Sequence, residues 1–180
     1  MTERIPPHNE EAERSVLGAV MLNKDVLSEV LEEVTADDFY NESHREIFRA
    51  IWELYKDNVA VDMLTVCEEL KKRKSLDMAG GRAYIATLTA EVPFTANAVE
   101  YAKIVAEKAT LRRMIKTSED ITEKGYDAKM AAGEILDYAE SGIFKIAQKR
   151  QKNDYAKIQD VLLNNIKIID AASQNKDKIV

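Results

Sequence analysis

Histidine and cysteine, which often bind metals or act in catalysis, are scarce in this 180-residue chain. Its two histidines, His8 and His44, have no second histidine or cysteine at metal-ligand spacing. His44 stands one helical turn before Phe48, which favours a packed or capping histidine. The single cysteine, Cys67, falls within an apolar stripe, which is typical of a small core residue rather than a nucleophile.

Nucleotide-binding and protease motifs are missing as well. The six glycines form no G-x-x-x-x-G-K-[ST] phosphate loop, and there is no H-E-x-x-H zinc motif. None of the many carboxylates has a recognisable spacing to a histidine that would make an acid–base pair. The sequence therefore predicts no catalytic residue, metal site or cofactor site, and we expect this chain by itself not to be an enzyme.

Two features admit both a binding and a structural interpretation. The pair Gly80-Gly81 beside Arg82 could form an anion-binding nest, but phosphate loops need more glycines and a lysine, which favours a helix-breaking turn. The basic run 71–74 could contact nucleic acid, but it also fits the last turn of a helix, where cations offset the helix dipole. The basic residues 112–113 raise the same question. Because the net charge is −6, we expect DNA to bind weakly if at all.

Composition places the chain among helical proteins without a membrane segment. Only three prolines are present, which favours long helices. No segment approaches the roughly 20 consecutive apolar residues that span a membrane, and the N-terminus lacks the apolar core of a signal peptide. One cysteine excludes an internal disulfide framework. We therefore expect a cytoplasmic protein with no membrane partner.

The spacing of apolar residues predicts an all-α fold that begins with a helical head over residues 1–96. About five short helices are expected there, the fifth over 84–88 after the glycine pair. The other four are expected to start at the capping residues Asn9, Asn23, Asn41 and Asp62. The third helix has a wide apolar face that should lie at the centre of the core: Ile47, Phe48, Ile51, Trp52, Leu54 and Tyr55.

A long antiparallel helical hairpin is predicted over residues 97–149. Its first helix runs to Gly125 without a breaking residue, and after a short connection Asp127 is expected to cap the second helix. Helices joined by so short a connection lie antiparallel. Residues 150–180 are expected to form a linker and a separate C-terminal helix capped by Asp154.

The hairpin carries more apolar surface than its own seam needs. On its first helix the apolar residues cover an arc of roughly 160°, more than one partner helix can bury. Either the head covers the excess or a second molecule does, and the second molecule is the favoured interpretation. The residues expected at this self-association surface are Leu111, Ile135, Ala139, Gly142 and Ile143.

A series of short motifs runs through the chain in a fixed order. In chain order they are Pro6-Pro7-His8, Glu11-Ala12-Glu13, Val16-Leu17-Gly18, Asp38-Phe39-Tyr40, His44-Arg45-x-Ile47-Phe48, Ala50-Ile51, Val61-Asp62, Gly80-Gly81-x-Ala83-Tyr84, Ala96-Asn97, Tyr101-Ala102-x-Ile104-Val105 and Leu111-Arg112-Arg113. Each motif is weak alone. The ordered set resembles the N-terminal domain and linker helix of bacterial replicative DNA helicases of the DnaB family, most strongly from Arg4 to about Ile146.

The resemblance implies an interaction role within a larger ring-shaped enzyme. In the family, hairpins pair two by two, and three pairs form a collar on a hexamer that unwinds DNA with ATP hydrolysis. ATP and Mg²⁺ would then belong to a C-terminal RecA-like ATPase domain, which is expected to be absent from this chain. The implied partners are other copies of the chain, the helicase-binding domain of primase and a helicase loader.

The resemblance also implies two further sets of contact residues. Primase is expected to dock near the junction of head and hairpin, where positions 115 and 121 lie about 120° apart on one helix, too far for a single seam to cover both. The candidates for this contact are Glu11, Tyr84, Ile115 and Ile121; for Tyr84 a core position is an equal alternative. The linker helix is expected to dock on the neighbouring subunit's ATPase domain through Ile158, Val161, Leu162, Ile166 and Ile169.

A function of another class also fits the residues. A free-standing helical adaptor that binds nucleic acid, or acts like a loader, would use the basic run 71–74 and the basic residues of the hairpin. Steeply salt-dependent DNA binding would favour this alternative.

Overall fold

The computed structural model describes residues 5–92 and 95–148. Within these ranges every regular element is helical and no β-strand is present, which confirms the predicted all-α class. The chain divides into two compact units, Met1–Lys116 and Thr117–Val180. In the part of the chain that the structure describes, no helix is both long and apolar enough to cross a membrane. The predicted C-terminal linker helix lies outside the described residues.

Helix α1 (Glu10–Leu22) is the centre of the first unit. Asn9 caps it as predicted, because the Asn9 side chain accepts a hydrogen bond from the Ala12 amide. Three other helices pack against α1, so it is buried along most of its length. A central helix of this kind can carry polar side chains only where neighbouring elements supply their hydrogen bonds.

Helix α2 (Leu27–Glu33) follows a turn rather than a side-chain cap. The prediction that Asn23 caps this helix is wrong. The Asn23 side chain accepts a hydrogen bond from the Asp25 amide, which closes a turn before the helix starts. A short 3₁₀ turn, Ala36–Asp38, then leads to the next helix.

Helix α3 (Glu42–Lys56) supplies much of the core, and Asn41 caps it as predicted. The prediction that Trp52 and Tyr55 lie at the centre of the core is wrong: they are 43% and 42% exposed and stack on each other. Trp52 stands at the edge of the apolar arc, and Tyr55 lies in the last turn of α3. The other four residues of the predicted face are buried: Ile47, Phe48, Ile51 and Leu54.

Helices α4 (Met63–Lys72) and α5 (Gly81–Ala90) complete the head. Asp62 caps α4 as predicted, through bonds from two amides of its first turn. Helix α5 is longer than the predicted 84–88 because it begins directly at the second glycine of the pair. The first glycine, Gly80, has a left-handed backbone with φ of 89°. The pair is therefore a helix-starting turn. A second 3₁₀ turn lies at Thr95–Asn97.

Helix α6 (Ala98–Asp127) contributes residues to both units. Its buried residues all lie in the first unit, and three of the four are alanines, which let other elements approach closely. Gly125 does not end the helix, so the prediction that Asp127 caps the next helix is wrong. The chain reverses over 128–131, where Ala128 is left-handed with φ of 50°.

The second unit contains the predicted antiparallel hairpin, formed by the end of α6 and a helix α7 over 132–148. The Tyr138 hydroxyl lies 3.4 Å from the Asp120 carboxylate, and the Lys124 ammonium lies 4.7 Å from the centre of the Tyr138 ring. Farther from the turn, Gly142 lies opposite Thr117. Later positions of α7 thus meet earlier positions of α6, which defines the antiparallel arrangement.

Candidate functional site

Three side chains from α1, α3 and α5 form a chain of hydrogen bonds inside the head. The Glu13 carboxylate lies 2.7 Å from His44 Nδ1, and His44 Nε2 lies 2.6 Å from the Tyr84 hydroxyl. Glu13 is 2% exposed and His44 is 0% exposed, whereas Tyr84 is partly exposed. We refer to Glu13, His44 and Tyr84 as the polar triad. The expectation that His44 is a packed histidine is confirmed.

The donors and acceptors of the polar triad can be assigned. Glu13 also accepts hydrogen bonds from the amides of Tyr40, at 2.6 Å, and Asn41, at 3.3 Å, at the start of α3. A carboxylate only accepts, so His44 donates from Nδ1. In the neutral imidazole Nε2 is then an acceptor, and the Tyr84 hydroxyl donates to it. Burial raises the pKa of the Tyr84 phenol, which keeps this donor protonated at neutral pH.

The glycine turn before α5 leaves room for the Tyr84 ring. A Cβ atom on Gly80 would lie 2.8 Å from Cδ1 and 2.9 Å from Cγ of Tyr84, so a larger residue would displace the ring. The left-handed backbone of Gly80 is a second reason for glycine at this position. The position of the Tyr84 ring therefore requires glycine at residue 80.

An open pocket lies between α1 and α5. Its lining residues are Glu10, Glu11, Arg14, Ser15, Leu88 and Glu91. Arg14 forms an ion pair with Glu91, so three carboxylates surround a single cation and the pocket is acidic. Tyr84 is not among these lining residues; it lies on α5 one turn before Leu88.

Two of the four predicted primase contacts meet in this region. Glu11 is exposed on α1 at the pocket, and Tyr84 precedes the pocket residue Leu88 by one turn of α5. Tyr84 combines the two alternatives raised for it, since its ring is partly exposed while its hydroxyl is bonded inside the head. Ile115 is 44% exposed on α6 in the first unit, and Ile121 is partly buried in the second unit. Neither isoleucine lines the pocket.

The arginines at 112 and 113 bind their own chain. Arg112 donates to the carbonyl of Pro7, at 2.7 Å, and to that of Asp38, and its guanidinium lies over the Tyr40 ring. Arg113 pairs with the Asp38 carboxylate, which is 1% exposed. Burial lowers the pKa of both guanidinium groups. These side chains anchor the N-terminal segment and the first 3₁₀ turn, so their contacts do not favour a role in nucleic-acid binding.

The basic run 71–74 is a solvated helix end, the interpretation that the sequence favours. Lys71 pairs with Glu68 and Lys72 pairs with Glu69, each one turn earlier on α4. Such exposed pairs add little stability, but they neutralise the charge that a DNA-binding surface would need. Neither basic cluster supports the nucleic-acid alternative.

Two further results concern chemistry in the described residues. Cys67 is 2% exposed, and burial raises the pKa of its thiol above the ordinary value, in agreement with a core role. No group of three or more histidine, cysteine or carboxylate side chains in residues 5–92 and 95–148 is arranged to hold a metal ion.

The self-association candidates on α7 lie on two different faces of the helix. Ile135, Ala139 and Gly142 share one partly buried face. A Cβ atom on Gly142 would lie 2.7 Å from Thr117 Cγ2, so this face packs against α6 of the same hairpin. Ile143 instead is 49% exposed.

The sequence analysis did not identify two exposed apolar residues of α7. Leu136 is 59% exposed and Phe144 is 62% exposed, beside Ile143 on the outer side of α7. Helical spacing measured from Gly142 would have found both, because Leu136 lies about 120° and Phe144 about 160° from it around the helix. Leu111, the remaining self-association candidate, is 38% exposed on α6 in the first unit.

Known proteins resemble the chain in sequence. The family of DnaB-like helicase N-terminal domains matches residues 5–107. The chain is 39% identical over 175 residues to the replicative DNA helicase DnaB of Leifsonia xyli subsp. xyli. It is 36% identical over 179 residues to the replicative DNA helicase DnaC of Bacillus subtilis. These matches cover 97% and 99% of this chain but only 38% and 39% of the two relatives.

Solved structures share the fold. The crystal structure of the N-terminal domain of DnaB helicase from Mycobacterium tuberculosis matches with a TM-score of 0.72 and 40% identity, over 78% of this chain and 99% of that chain. A DnaB-like replicative helicase, described together with its interactions with primase, matches with a TM-score of 0.64 and 23% identity, over 77% of this chain and 31% of that chain. The chain thus belongs to the family of DnaB-like helicase N-terminal domains.

Proposed function

We propose that this chain is the collar domain of a hexameric replicative helicase, and that its α1–α5 surface receives the helicase-binding domain of primase. The observation that best supports this proposal is the acidic pocket between α1 and α5, which Glu11 lines and from which Tyr84 stands one turn away on α5. An acidic surface favours a partner that presents lysine or arginine side chains. A partly exposed aromatic ring of fixed orientation is a common anchor in protein interfaces.

The test is the affinity of the full chain for the helicase-binding domain of the cognate primase. Glu11→Lys and Tyr84→Ala should each weaken binding by about tenfold or more, the size typical of an interface anchor. Lys72→Glu is the matched control, since it reverses one exposed charge on α4 and should change affinity little. Unchanged affinity in both pocket variants would contradict this placement of primase. Ile115 and Ile121 stay predicted contacts, to be tested as alanine variants in the same assay.

We further propose that chains pair through the outer side of α7, at Leu136, Ile143 and Phe144, while Ile135, Ala139 and Gly142 hold the hairpin together. A charge placed on the outer side, as in Ile143→Asp, should lower the mass measured by light scattering. Lys145→Asp, also exposed on α7, is the control that should leave the mass unchanged. Wild-type mass in a folded Ile143→Asp chain would exclude this surface.

In this proposal the remaining activities belong to the longer helicase. ATP and Mg²⁺ would bind its ATPase domain, and the linker helix with Ile158 to Ile169 would dock on a neighbouring subunit. A helicase loader is a further proposed partner, and DNA replication in the cytoplasm is the proposed setting. The expectation for this chain alone is no ATP binding, and a calorimetric titration that showed micromolar affinity would refute it.

A further inference from the structure

We infer that Glu13 and His44 are positioning residues for partner docking, which act by fixing the orientation of the Tyr84 ring. This inference rests on the proposed docking role of Tyr84. Glu13 and His44 cannot touch a partner themselves, since they are 2% and 0% exposed. Tyr84 is the member of the polar triad that is partly exposed.

Two independent contacts restrict the Tyr84 ring. Its hydroxyl is held 2.6 Å from His44 Nε2, with the two ring planes within 6° of each other. On the other side the ring occupies the space that a Cβ atom on Gly80 would need. The torsion of a tyrosine ring is otherwise broad, so the hydroxyl bond removes freedom that a free ring would lose on binding.

Glu13 in turn fixes the imidazole. Its carboxylate accepts from His44 Nδ1 at 2.7 Å while it also accepts from the amides of Tyr40 and Asn41. The backbone at the start of α3 therefore sets the position of Glu13, and Glu13 sets the tautomer of His44 that can accept from Tyr84. The backbone at the start of α3 thus fixes Glu13 on α1, Glu13 fixes His44 on α3, and His44 fixes the partly exposed Tyr84 on α5.

The substitution that isolates this role is His44→Asn. An asparagine amide can still donate to Glu13 from the place of Nδ1, but it offers no acceptor at the place of Nε2. Tyr84→Phe breaks the same bond from the other side and keeps the ring. Ordering one aromatic side chain on binding corresponds to a loss of about three- to tenfold in affinity, and we expect each variant to show that loss for the helicase-binding domain of primase.

A double-mutant cycle separates positioning from a general structural role. If His44 acts through Tyr84, His44→Asn should weaken primase binding in the wild-type chain and have no further effect in the Tyr84→Phe or Tyr84→Ala chain. Cys67→Ser, a destabilising substitution in the core of the same unit, should leave the affinity of the folded chain unchanged. All variants are compared at a temperature where circular dichroism shows them folded.

Three outcomes would overturn the inference. The first is an equal loss from His44→Asn in the presence and absence of the Tyr84 hydroxyl. The second is unchanged affinity in Tyr84→Phe when Tyr84→Ala binds weakly, which leaves the proposed docking surface intact and removes the positioning role alone. The third is unchanged affinity in Tyr84→Ala, which removes the docking assignment and the positioning role together. As a separate readout, ¹⁵N spectra of the imidazole should show the Nδ1–H tautomer, and an Nε2–H tautomer would also contradict the argument.

Discussion

Gly18 lies where α1 packs closely on α5, and its replacement by alanine tests the packing of the head. A Cβ atom at Gly18 would lie 2.1 Å from the carbonyl oxygen of Leu88 and 2.3 Å from Cγ2 of Val92. The first of these atoms is backbone, so no side-chain rotation can relieve the clash. Alanine at this position therefore requires the two helices to separate.

The expected loss of stability is the difference between the cost of overpacking and the gain in helix propensity. Ordinary contact begins near 3.4 Å, so the helices must move apart by more than 1 Å at a point where the core is closely packed. Overpacking of a core typically costs about 1–3 kcal/mol, and a displaced backbone belongs at the upper end of that range. Alanine regains up to about 1 kcal/mol through its higher helix propensity. We expect a net loss of about 2 kcal/mol in the free energy of unfolding of the first unit.

Urea unfolding followed by circular dichroism measures this loss. Gly125→Ala is the matched control, since it lies within α6 with open space around its Cβ position and should stabilise by about 1 kcal/mol or less. In the Gly18→Ala chain, a second change Val92→Ala should recover only part of the loss, because the Leu88 carbonyl remains. A Gly18→Ala chain as stable as the wild type would mean that α1 and α5 are not packed this closely.

Three further substitutions test separate features of the head. Lys74→Gly should stabilise the chain by up to about 1 kcal/mol in urea unfolding, because Lys74 has a left-handed backbone with φ of 58°. Lys72→Gly, inside the last turn of α4, should destabilise it. A change of the same sign in both variants would refute the reasoning. Arg113→Ala should cost about 1–2 kcal/mol, because it removes a charged donor from the buried Asp38 carboxylate; a neutral result would show that the pair is solvated. Because burial raises the pKa of the Cys67 thiol, the folded chain holds this proton more tightly than the unfolded chain. The resulting stability should be present below the ordinary thiol pKa of about 8.5 and be lost as the pH rises above it; an identical pH dependence of the urea midpoint in Cys67→Ala would contradict this.

Local signals in the sequence predicted the helix starts at Asn9, Asn41 and Asp62, because a capping side chain bonds to amides two or three residues away. The same residue types gave wrong helix starts at Asn23 and Asp127. Asn23 bonds the amide two residues later in a turn, and Asp127 is the last residue of α6. Asparagine and aspartate favour turns as well as caps, so their identity alone does not decide between the two.

Periodicity predicted the helices but could not decide the width of each buried face. Trp52 and Tyr55 share an apolar arc with Phe48, yet they are exposed and Phe48 is buried. How far round a helix the core reaches depends on which elements pack there, and that is not a local property. On α7 the same limit assigned Gly142 to a surface between molecules, whereas it packs against Thr117 of its own hairpin.

The sequence could not predict the polar triad, because its three residues are far apart along the chain. Glu13 and His44 are 31 positions apart, and His44 and Tyr84 are 40 positions apart. Each residue was visible as part of a motif, but nothing in the chain pairs one motif with another. Burial of the carboxylate supplies the missing link, because it must find donors inside the head.

Several of the recognisable motifs of this chain are joined by hydrogen bonds inside the head. Glu13, His44 and Tyr84 form one set of hydrogen bonds, and Arg112 forms another with the carbonyls of Pro7 and Asp38 that fixes the N-terminal segment and the first 3₁₀ turn. Hydrogen bonds inside the head therefore fix the shape of its surface. Changes on its rim, as at Glu11, should alter partner affinity without loss of stability, whereas changes at His44 should alter both.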